Sequence, residues 1–227
     1  MSSPSHPGLP PGTPRFALCN GLIAAGFVVA FPLSFVLPLW VSWENSILES
    51  LQNWTMLAGI AMALLGAQRY QGREKALLWI AALFWLAFLG REMSWGAVFL
   101  PPTEMTEWGP SYRSKYLPYR GVVPWVVGAM ALLCVYWFVS RQLWSRVLVR
   151  LTRERAWPVV SLLLFAFGMV MSTNAEDHGF LRFQTWYDHQ VMVLEELVEN
   201  FGYAALLLAQ WQVLHHMLTR WSGRSTD

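Results

Sequence analysis

Six stretches of this sequence contain no charged residue, and they constrain the fold more than any other feature. They run from 16 to 43, 50 to 68, 76 to 90, 121 to 140, 156 to 175 and 200 to 219. Five of them reach the roughly 17 to 25 residues that a helix needs to cross a bilayer. Only 13% of the 227 residues are charged, whereas about a quarter are charged in an average soluble domain. The sequence therefore predicts an all-α polytopic membrane protein with six transmembrane helices.

The predicted helices follow these runs closely, with two extensions, of which the second carries the sixth helix outward from residue 200 to residue 190. The third run is too short to span by itself, so we expect its helix to continue through Arg91 and Glu92 to Leu100, where two prolines follow. Residues 1–15, rich in Ser, Pro and Gly, are predicted to form a flexible cytoplasmic tail, and 220–227 a second tail. The domain between them, 16–219, is predicted to contain helices at about 16–41, 47–68, 76–100, 121–140, 156–173 and 190–218.

The distribution of basic residues predicts how the bundle is oriented. Eleven of the sixteen Lys and Arg residues fall in the two termini and in the second and fourth loops. Because positive residues accumulate in cytoplasmic segments, we expect the N and C termini both to be cytoplasmic. The acidic residues show the opposite bias, since eleven of fourteen lie in the outer loops or at the outer ends of helices. Insertion does not explain this second bias, because acids contribute little to topology.

Acidic and amide side chains gather at the predicted outer ends of three helices. Glu49 and Asn53 are four residues apart, as are Glu196 and Asn200, so each pair lies on one face of its helix. Ionisable residues within membrane helices normally face the bundle interior or a wet cavity, and we therefore predict a polar site there. Its candidate catalytic residues are Glu92, Glu196, Glu199 and His189, and its candidate substrate-binding residues are Arg91, Asn53 and Asn200.

Two other interpretations of this region stay open. In one, Arg91 forms a salt bridge with a glutamate that holds two helices together, and the remaining acids are solvated. In the other, a divalent metal is bound, because imidazole and carboxylate groups suit Zn, Fe or Mn. The candidate metal ligands are His178, His189 and Glu195. No recognised metal-binding motif is present, so a polar surface loop is favoured over a metal site, and the sequence does not name a cofactor.

The third loop, residues 101–120, is rich in Tyr, Arg and Lys. Tyr112, Arg113 and Tyr116 are candidates for binding a phosphate or glycan headgroup, because Arg forms bidentate hydrogen bonds with phosphate and Tyr offers a stacking surface. The alternative is an aromatic belt at the membrane surface, with basic side chains that extend to the water.

A short motif follows the third apolar run. It reads Arg-Glu-Met-Ser-Trp-Gly from Arg91 to Gly96. This segment resembles an acid-x-Ser-Trp-Gly motif in uncharacterised bacterial multi-pass membrane proteins. The resemblance covers only these few residues; it implies a protein of the bacterial inner membrane, and it implies no activity.

The sequence leaves three classes of function open. The preferred one is an enzyme that acts on a lipid or lipid-linked substrate at the outer leaflet. The second is a proton- or ion-coupled transporter, and the third is a scaffold or assembly subunit that binds a partner membrane protein. No Gly-rich phosphate loop, nucleophile elbow or basic nucleic-acid-binding tract is present. We therefore expect contacts with membrane lipids and a lipid-linked or small-molecule substrate, and none with nucleic acid.

Overall fold

A computed structural model describes residues 13–106, 109–175 and 188–221 of the chain. The predicted all-α class is confirmed, since these residues are mostly helical. The helices are α1 (Thr13–Val36), α2 (Ile47–Ala67), α3 (Gly72–Glu92), α4 (Val123–Ser140), α5 (Val149–Arg153), α6 (Val159–Ala175) and α7 (Asp188–Arg220). The only strands in these ranges are β1 (Glu104–Thr106) and β2 (Gly109–Ser111). They pair antiparallel as a small hairpin, with Met105 opposite Pro110.

Two helical segments are long and apolar enough to cross a membrane, Arg15–Val36 and Arg120–Ser140. The segment Val159–Ala175 is equally free of charge but shorter. At 21, 21 and 33 residues, α2, α3 and α7 also have the length of a spanning helix. Polar side chains inside them, such as Gln52 and Gln210, make them less apolar.

The predicted third helix is wrong at both ends. The sequence predicts it over 76–100, whereas α3 begins at Gly72 and ends at Glu92. Residues 72–75, which the prediction assigns to the preceding loop, therefore belong to the helix. Beyond Glu92 the backbone turns through three residues with positive φ: Ser94 (44°), Trp95 (55°) and Gly96 (99°). The Trp95 ring then folds back onto Gly90, where a Cβ atom would lie 2.7 Å from the indole. The chain therefore leaves the helix well before Pro101.

The other predicted boundaries agree with the structure to within a few residues, except at the end of α1. That helix was expected to reach residue 41 but ends at Val36. Pro38 follows with an extended backbone and precedes a 3-10 turn, Leu39–Ser42. Proline disfavours helical conformation in the residue before it, which accounts for the earlier end.

The long helix α7 lies at the centre of the bundle and packs against α1, α2 and α6. Its closest approach is to α6, where a Cβ atom on Gly168 would lie 2.9 Å from the Cα atom of Gly202. Helix α3 packs on α2, and α4 packs on α3 with none of its residues buried. Between α2, α3 and α7 the Trp85 indole donates to Gln210 Oε1 (2.6 Å), and Gln210 Nε2 donates to the Gly59 carbonyl (2.9 Å).

Candidate functional site

Four glutamates from three helices meet at the end of the bundle where α3 ends and α2 and α7 begin. We call Glu49, Glu92, Glu196 and Glu199 the carboxylate cluster. Glu49 and Glu199 are each only 5% exposed. Glu196 lies close enough to the other three to interact with each of them electrostatically. The structure thus brings three of the predicted catalytic residues together and adds Glu49 to them.

Glu92 is held at the last position of α3 by two neighbours. The Tyr203 hydroxyl donates a hydrogen bond to Glu92 Oε1 over 2.9 Å, and Arg91 Nε donates to the same oxygen over 3.1 Å. Arg91 Nη2 also reaches Glu199 Oε1 at 3.5 Å. Its side chain is 58% exposed, so this guanidinium lies at the rim of the cluster. The interpretation in which Arg91 pairs with a glutamate and joins two helices agrees with this contact, which links α3 to α7, but its second part is wrong, because Glu49 is buried and not solvated.

The two glutamates of α7 each accept a hydrogen bond from a neighbouring helix. Ser172 Oγ of α6 donates to Glu199 Oε1 over 2.6 Å, in a fully buried contact. Gln52 Nε2 of α2 donates to Glu196 Oε2 over 2.7 Å, and Gln52 is only 1% exposed. The cluster therefore joins α2, α3, α6 and α7 through polar contacts that would be costly to leave unmade in an apolar environment.

A hydrogen bond at the start of α2 holds the Glu49 side chain in place. It lies three residues after Ser46, the N-cap of α2, and its carboxylate accepts a hydrogen bond from the backbone N–H of Asn45. This arrangement is related to a capping box, in which the acid at the third helical position reaches back to an unpaired backbone donor. Asn45 adopts a left-handed backbone with φ 63°, which directs its N–H toward the helix.

The predicted substrate-binding residues fall in different places. Asn200 Nδ2 donates to the Leu48 carbonyl (3.0 Å) and to the Glu196 carbonyl (2.8 Å), so it ties α7 to the start of α2. Asn53 lies one turn below Glu49, and its Oδ1 atom is buried without a hydrogen-bond partner.

The third-loop residues make contacts within their own loop and with the loop that precedes α2. The backbone N–H of Tyr112 donates to Glu44 Oε2 over 2.6 Å, and Arg113 pairs with Glu104 at 2.9 Å. The Lys115 ammonium lies 4.7 Å from the centre of the Tyr116 ring. These contacts order the loop beside the cluster, and the role of these residues in headgroup binding stays a prediction.

The proposed metal ligands are only partly covered by the structure. Glu195 is half-buried on α7. His178 lies outside the described residues, and for His189 the description extends to the helical backbone alone. Within the described ranges, no group of three His, Cys, Asp or Glu side chains is arranged to hold a metal ion. The metal hypothesis stays a prediction that rests on the sequence.

Two residues of the site were missed by sequence reasoning. Tyr203 follows Glu199 by four positions and Glu196 by seven, so the helical period that selected the glutamates also places its hydroxyl on their face. It was missed because a tyrosine in an apolar run is usually a packing residue. Ser172 carries no such signal, because nothing in the local sequence of α6 connects it to α7.

A second polar cluster lies at the opposite end of the bundle, around Glu154. Its Oε2 atom lies 2.6 Å from His216 Nε2 and accepts from the Trp221 indole over 2.8 Å, while Oε1 accepts from Arg150 Nε over 2.9 Å. Burial by itself would raise the pKa of Glu154, but these three hydrogen bonds and the Arg150 charge outweigh it and hold the pKa at about 2. The C-terminal end of α7 is thereby fixed to α5.

Chemically, the carboxylate cluster offers several acids, two hydroxyls and one guanidinium within a small volume. Closely spaced carboxyls can hold protonated and ionised members side by side, and these are the forms that general acid and general base catalysis require. The guanidinium at the rim suits an anionic group such as a phosphate. No model of a protein family, no curated protein and no solved structure matches this chain, so its function is argued from this geometry.

Proposed function

We propose that this chain is a multi-pass protein of the bacterial inner membrane, and that its carboxylate cluster is the active site of an enzyme that acts on a lipid or lipid-linked substrate at the outer leaflet. Six helices, α1 to α4, α6 and α7, would span the bilayer. Large apolar side chains cover their outer faces, and such a surface is unfavourable in water. Examples on four different helices are Val28, Trp54, Trp125 and Leu163.

The charge distribution supports the orientation. The Glu154 end of the bundle also carries Arg146, Arg150 and Arg153 around α5, and such a basic surface is typical of the cytoplasmic face. The carboxylate cluster lies at the other end. A substrate would therefore reach the cluster from the periplasmic side or laterally from the outer leaflet.

The observation that carries the proposal is the convergence of four carboxylates at one end of the bundle, with the Arg91 guanidinium at their rim in contact with two of them. Like charges at short distance repel, and burial removes the water that would screen them. Clustered acids lower the stability of the fold, so their presence needs a reason other than stability. Titratable groups in such surroundings concentrate at functional sites.

The geometry suggests a division of roles. Glu92 and Glu196 are the acid and base pair, because each is oriented by a neutral donor, Tyr203 for the first and Gln52 for the second. Glu199 positions the Arg91 guanidinium. Arg91, at the rim, would bind the phosphate of a headgroup, and Ser172 fixes Glu199 from below.

The test is a comparison of membrane lipids from cells that express the wild-type chain, Glu92→Gln, Glu196→Gln or the matched control Glu104→Gln. Glu104 is exposed and pairs with Arg113 outside the cluster, so its replacement tests for the effect of removing an acid in general. We expect a lipid species whose abundance changes with the wild-type chain and with Glu104→Gln but not with the two cluster variants. Identical lipid profiles for all four proteins, at equal protein levels in the membrane, would contradict the proposal.

A further inference from the structure

An apolar groove runs between α1, α6 and α7 in the half of the bundle that contains the carboxylate cluster. It has a volume of about 390 Å³, within the range of roughly 300 to 1,000 Å³ that is usual for small-molecule sites. All of its lining residues are apolar, and they include Phe27, Phe31, Phe167, Met171, Leu194 and Val198. A polar headgroup would lose its hydrogen bonds in such a groove, whereas a hydrocarbon chain would lose none.

The groove and the carboxylate cluster share the same helical segments. Leu194 and Val198 of α7 line the groove, and the next residue, Glu199, belongs to the cluster. On α6, Met171 lines the groove, and its neighbour Ser172 donates the buried hydrogen bond to Glu199. Successive residues of a helix point about 100° apart, so each helix presents one side to the apolar groove and the adjacent side to the polar site.

The groove is open along its length to the surface that the proposed topology places in lipid. Val28 lines it and is 74% exposed, and Phe31, one turn further along α1, is also exposed. Its floor is fixed by aromatic packing, since the Phe27 ring meets the Phe167 ring edge-on at 5.2 Å between centroids. From Ala24 to Phe31 the groove extends about 10 Å along α1, at 1.5 Å per residue. A lipid tail can enter such a groove sideways from the bilayer.

We propose that this groove holds a hydrocarbon tail of the substrate lipid while its headgroup lies at the carboxylate cluster. This inference rests on the proposed function and narrows the substrate to a molecule with a long hydrocarbon chain and a polar headgroup at one end. Moving a tail from bilayer to groove exchanges one apolar environment for another, so the tail gains little by itself. The headgroup contacts therefore select the lipid, and the groove sets the position of its reacting bond.

The experiment uses the full chain in nanodiscs that contain a phosphatidylethanolamine with a photoreactive diazirine near the end of one acyl chain. The phosphate of this probe matches Arg91, and its ammonium matches the surplus carboxylates. After irradiation, the modified residues are mapped by mass spectrometry. We expect adducts concentrated on Phe31, Phe167 and Met171, and removed by an excess of the same lipid without the diazirine.

Two variants and a control decide the result. Ala24→Trp fills one end of the groove, and Val28→Trp covers it from the exposed rim, where folding is least sensitive to size. Both should lose the groove adducts. Val135→Trp adds the same side chain to the exposed surface of α4 and should retain them. Equal labelling of α1, α6 and α4, or labelling unchanged by both groove variants, would overturn the inference. So would cross-links showing that a second copy of the chain occupies the groove.

The same measurement separates this inference from the proposed function. Glu92→Gln leaves the groove residues and the Arg91 guanidinium in place, so the adducts should stay on the same groove residues even though the variant abolishes the lipid change in cells. If the cluster variants keep full activity while the groove is still labelled, the proposed enzyme is wrong and a lipid-tail site remains. If activity requires the cluster but labelling is uniform, the enzyme stands and the tail site is wrong.

Discussion

The two ends of this helix bundle each contain glutamates that join helices, but they balance charge in opposite ways. At one end, the single carboxylate of Glu154 accepts hydrogen bonds from Arg150 and Trp221 and contacts His216. Three neighbouring groups thus stabilise one negative charge. At the other end, four acids of the carboxylate cluster lie together, and the Arg91 guanidinium contacts two of them, Glu92 and Glu199. Both ends join helices that are distant in sequence, but in the part of the chain that the structure describes the acids outnumber the bases only at the carboxylate cluster.

The contacts of Glu154 stabilise the fold, whereas repulsion between the acids of the carboxylate cluster opposes folding. A carboxylate surrounded by donors lowers the free energy of the folded state, because the native contacts favour its ionised form. A group of carboxylates with one cation gains less from each contact and adds repulsion between its members. The Glu154 end explains how the C-terminal part of α7 is fixed, and the carboxylate cluster calls for a functional explanation.

The largest expected effect tests the carboxylate cluster. In Glu196→Gln, the amide oxygen still accepts from Gln52, so the helix contact is retained while the acid is lost. We expect activity to fall by about 10² to 10⁴, the usual contribution of a general acid or base. Thermal stability in detergent should stay equal or increase, because the amide keeps the hydrogen bond and an ionisable group leaves the buried cluster. The measurements are the lipid assay described above and a thermal unfolding curve.

Glu92→Gln should resemble Glu196→Gln in activity and differ from it in stability. The Glu92 carboxylate contacts the Arg91 guanidinium at 3.1 Å, so its loss weakens an ion pair as well as removing an acid. Activity should fall as far as in Glu196→Gln, but stability should not rise. A loss of activity in both variants that merely followed a loss of folded protein would show that the cluster is structural.

At the opposite end, Glu154→Ala should affect stability and leave activity unchanged. The substitution leaves Arg150, His216 and the Trp221 indole without their common acceptor. Hydrogen bonds to charged groups contribute about 1.5 to 3 kcal/mol each, and partial exposure of this side chain reduces the total, so we expect a loss of about 2 kcal/mol. The measurement is the midpoint of unfolding in detergent. Loss of the lipid activity in a folded Glu154→Ala protein would show that the two ends are coupled.

Much of this fold could be predicted from the sequence, because the charge-free runs carry the signal. The boundaries of α2, α4 and α6 lie within a few residues of those expected from the runs, and the early start of α7 was expected from the helical spacing of its acidic residues. The end of α3 could not be predicted in the same way. A length criterion required the helix to pass Glu92, and the folding of Trp95 onto Gly90 depends on side-chain packing that hydropathy does not record.

The residues of the candidate site could also be predicted only in part from the sequence. The glutamates were found because they interrupt apolar helices at a common depth and at helical spacing. Their partners were harder to find, since Ser172 and Tyr203 are ordinary residues of apolar helices whose importance depends on which helices are neighbours. Neighbouring helices follow from packing in three dimensions, such as the close approach of Gly168 and Gly202, and not from the pattern of any single helix.

A further prediction concerns the pH dependence of stability at the Glu154 end, and it compares wild type with Glu154→Gln. The folded pKa of Glu154 is about 2, below the ordinary value of 4.5, so its contribution to stability is complete above about pH 4.5 and disappears as the pH falls toward 2. Wild type should therefore be more stable than Glu154→Gln at neutral pH, and the difference should shrink steadily below pH 4.5. Unfolding midpoints of both proteins across this range supply the measurement. A difference that stays constant with pH would mean that the Glu154 contacts do not depend on its charge.

The smallest expected effect tests the turn that places Glu92 at the end of α3. Gly96 has φ 99°, and a Cβ atom there would lie 2.7 Å from the Tyr119 hydroxyl, which itself donates to the Trp95 carbonyl over 3.0 Å. Gly96→Ala should destabilise the protein by about 1 to 2 kcal/mol, from backbone strain and from this contact. Gly121→Ala is the control, since a Cβ atom there meets nothing within 4 Å.

The double variant Gly96→Ala/Tyr119→Phe separates the two causes. Removing the hydroxyl removes the close contact but leaves the backbone strain, so the double variant should lose less stability than the sum of the single losses. If strain alone sets the cost, the losses add. Because the turn begins directly after Glu92, strain relieved by a shift of this segment would also move the end of α3 relative to α7, and activity would then fall more than stability does. An effect on activity from a glycine outside the carboxylate cluster, absent in Gly121→Ala, would show that the Ser-Trp-Gly turn is retained for the position it gives to Glu92.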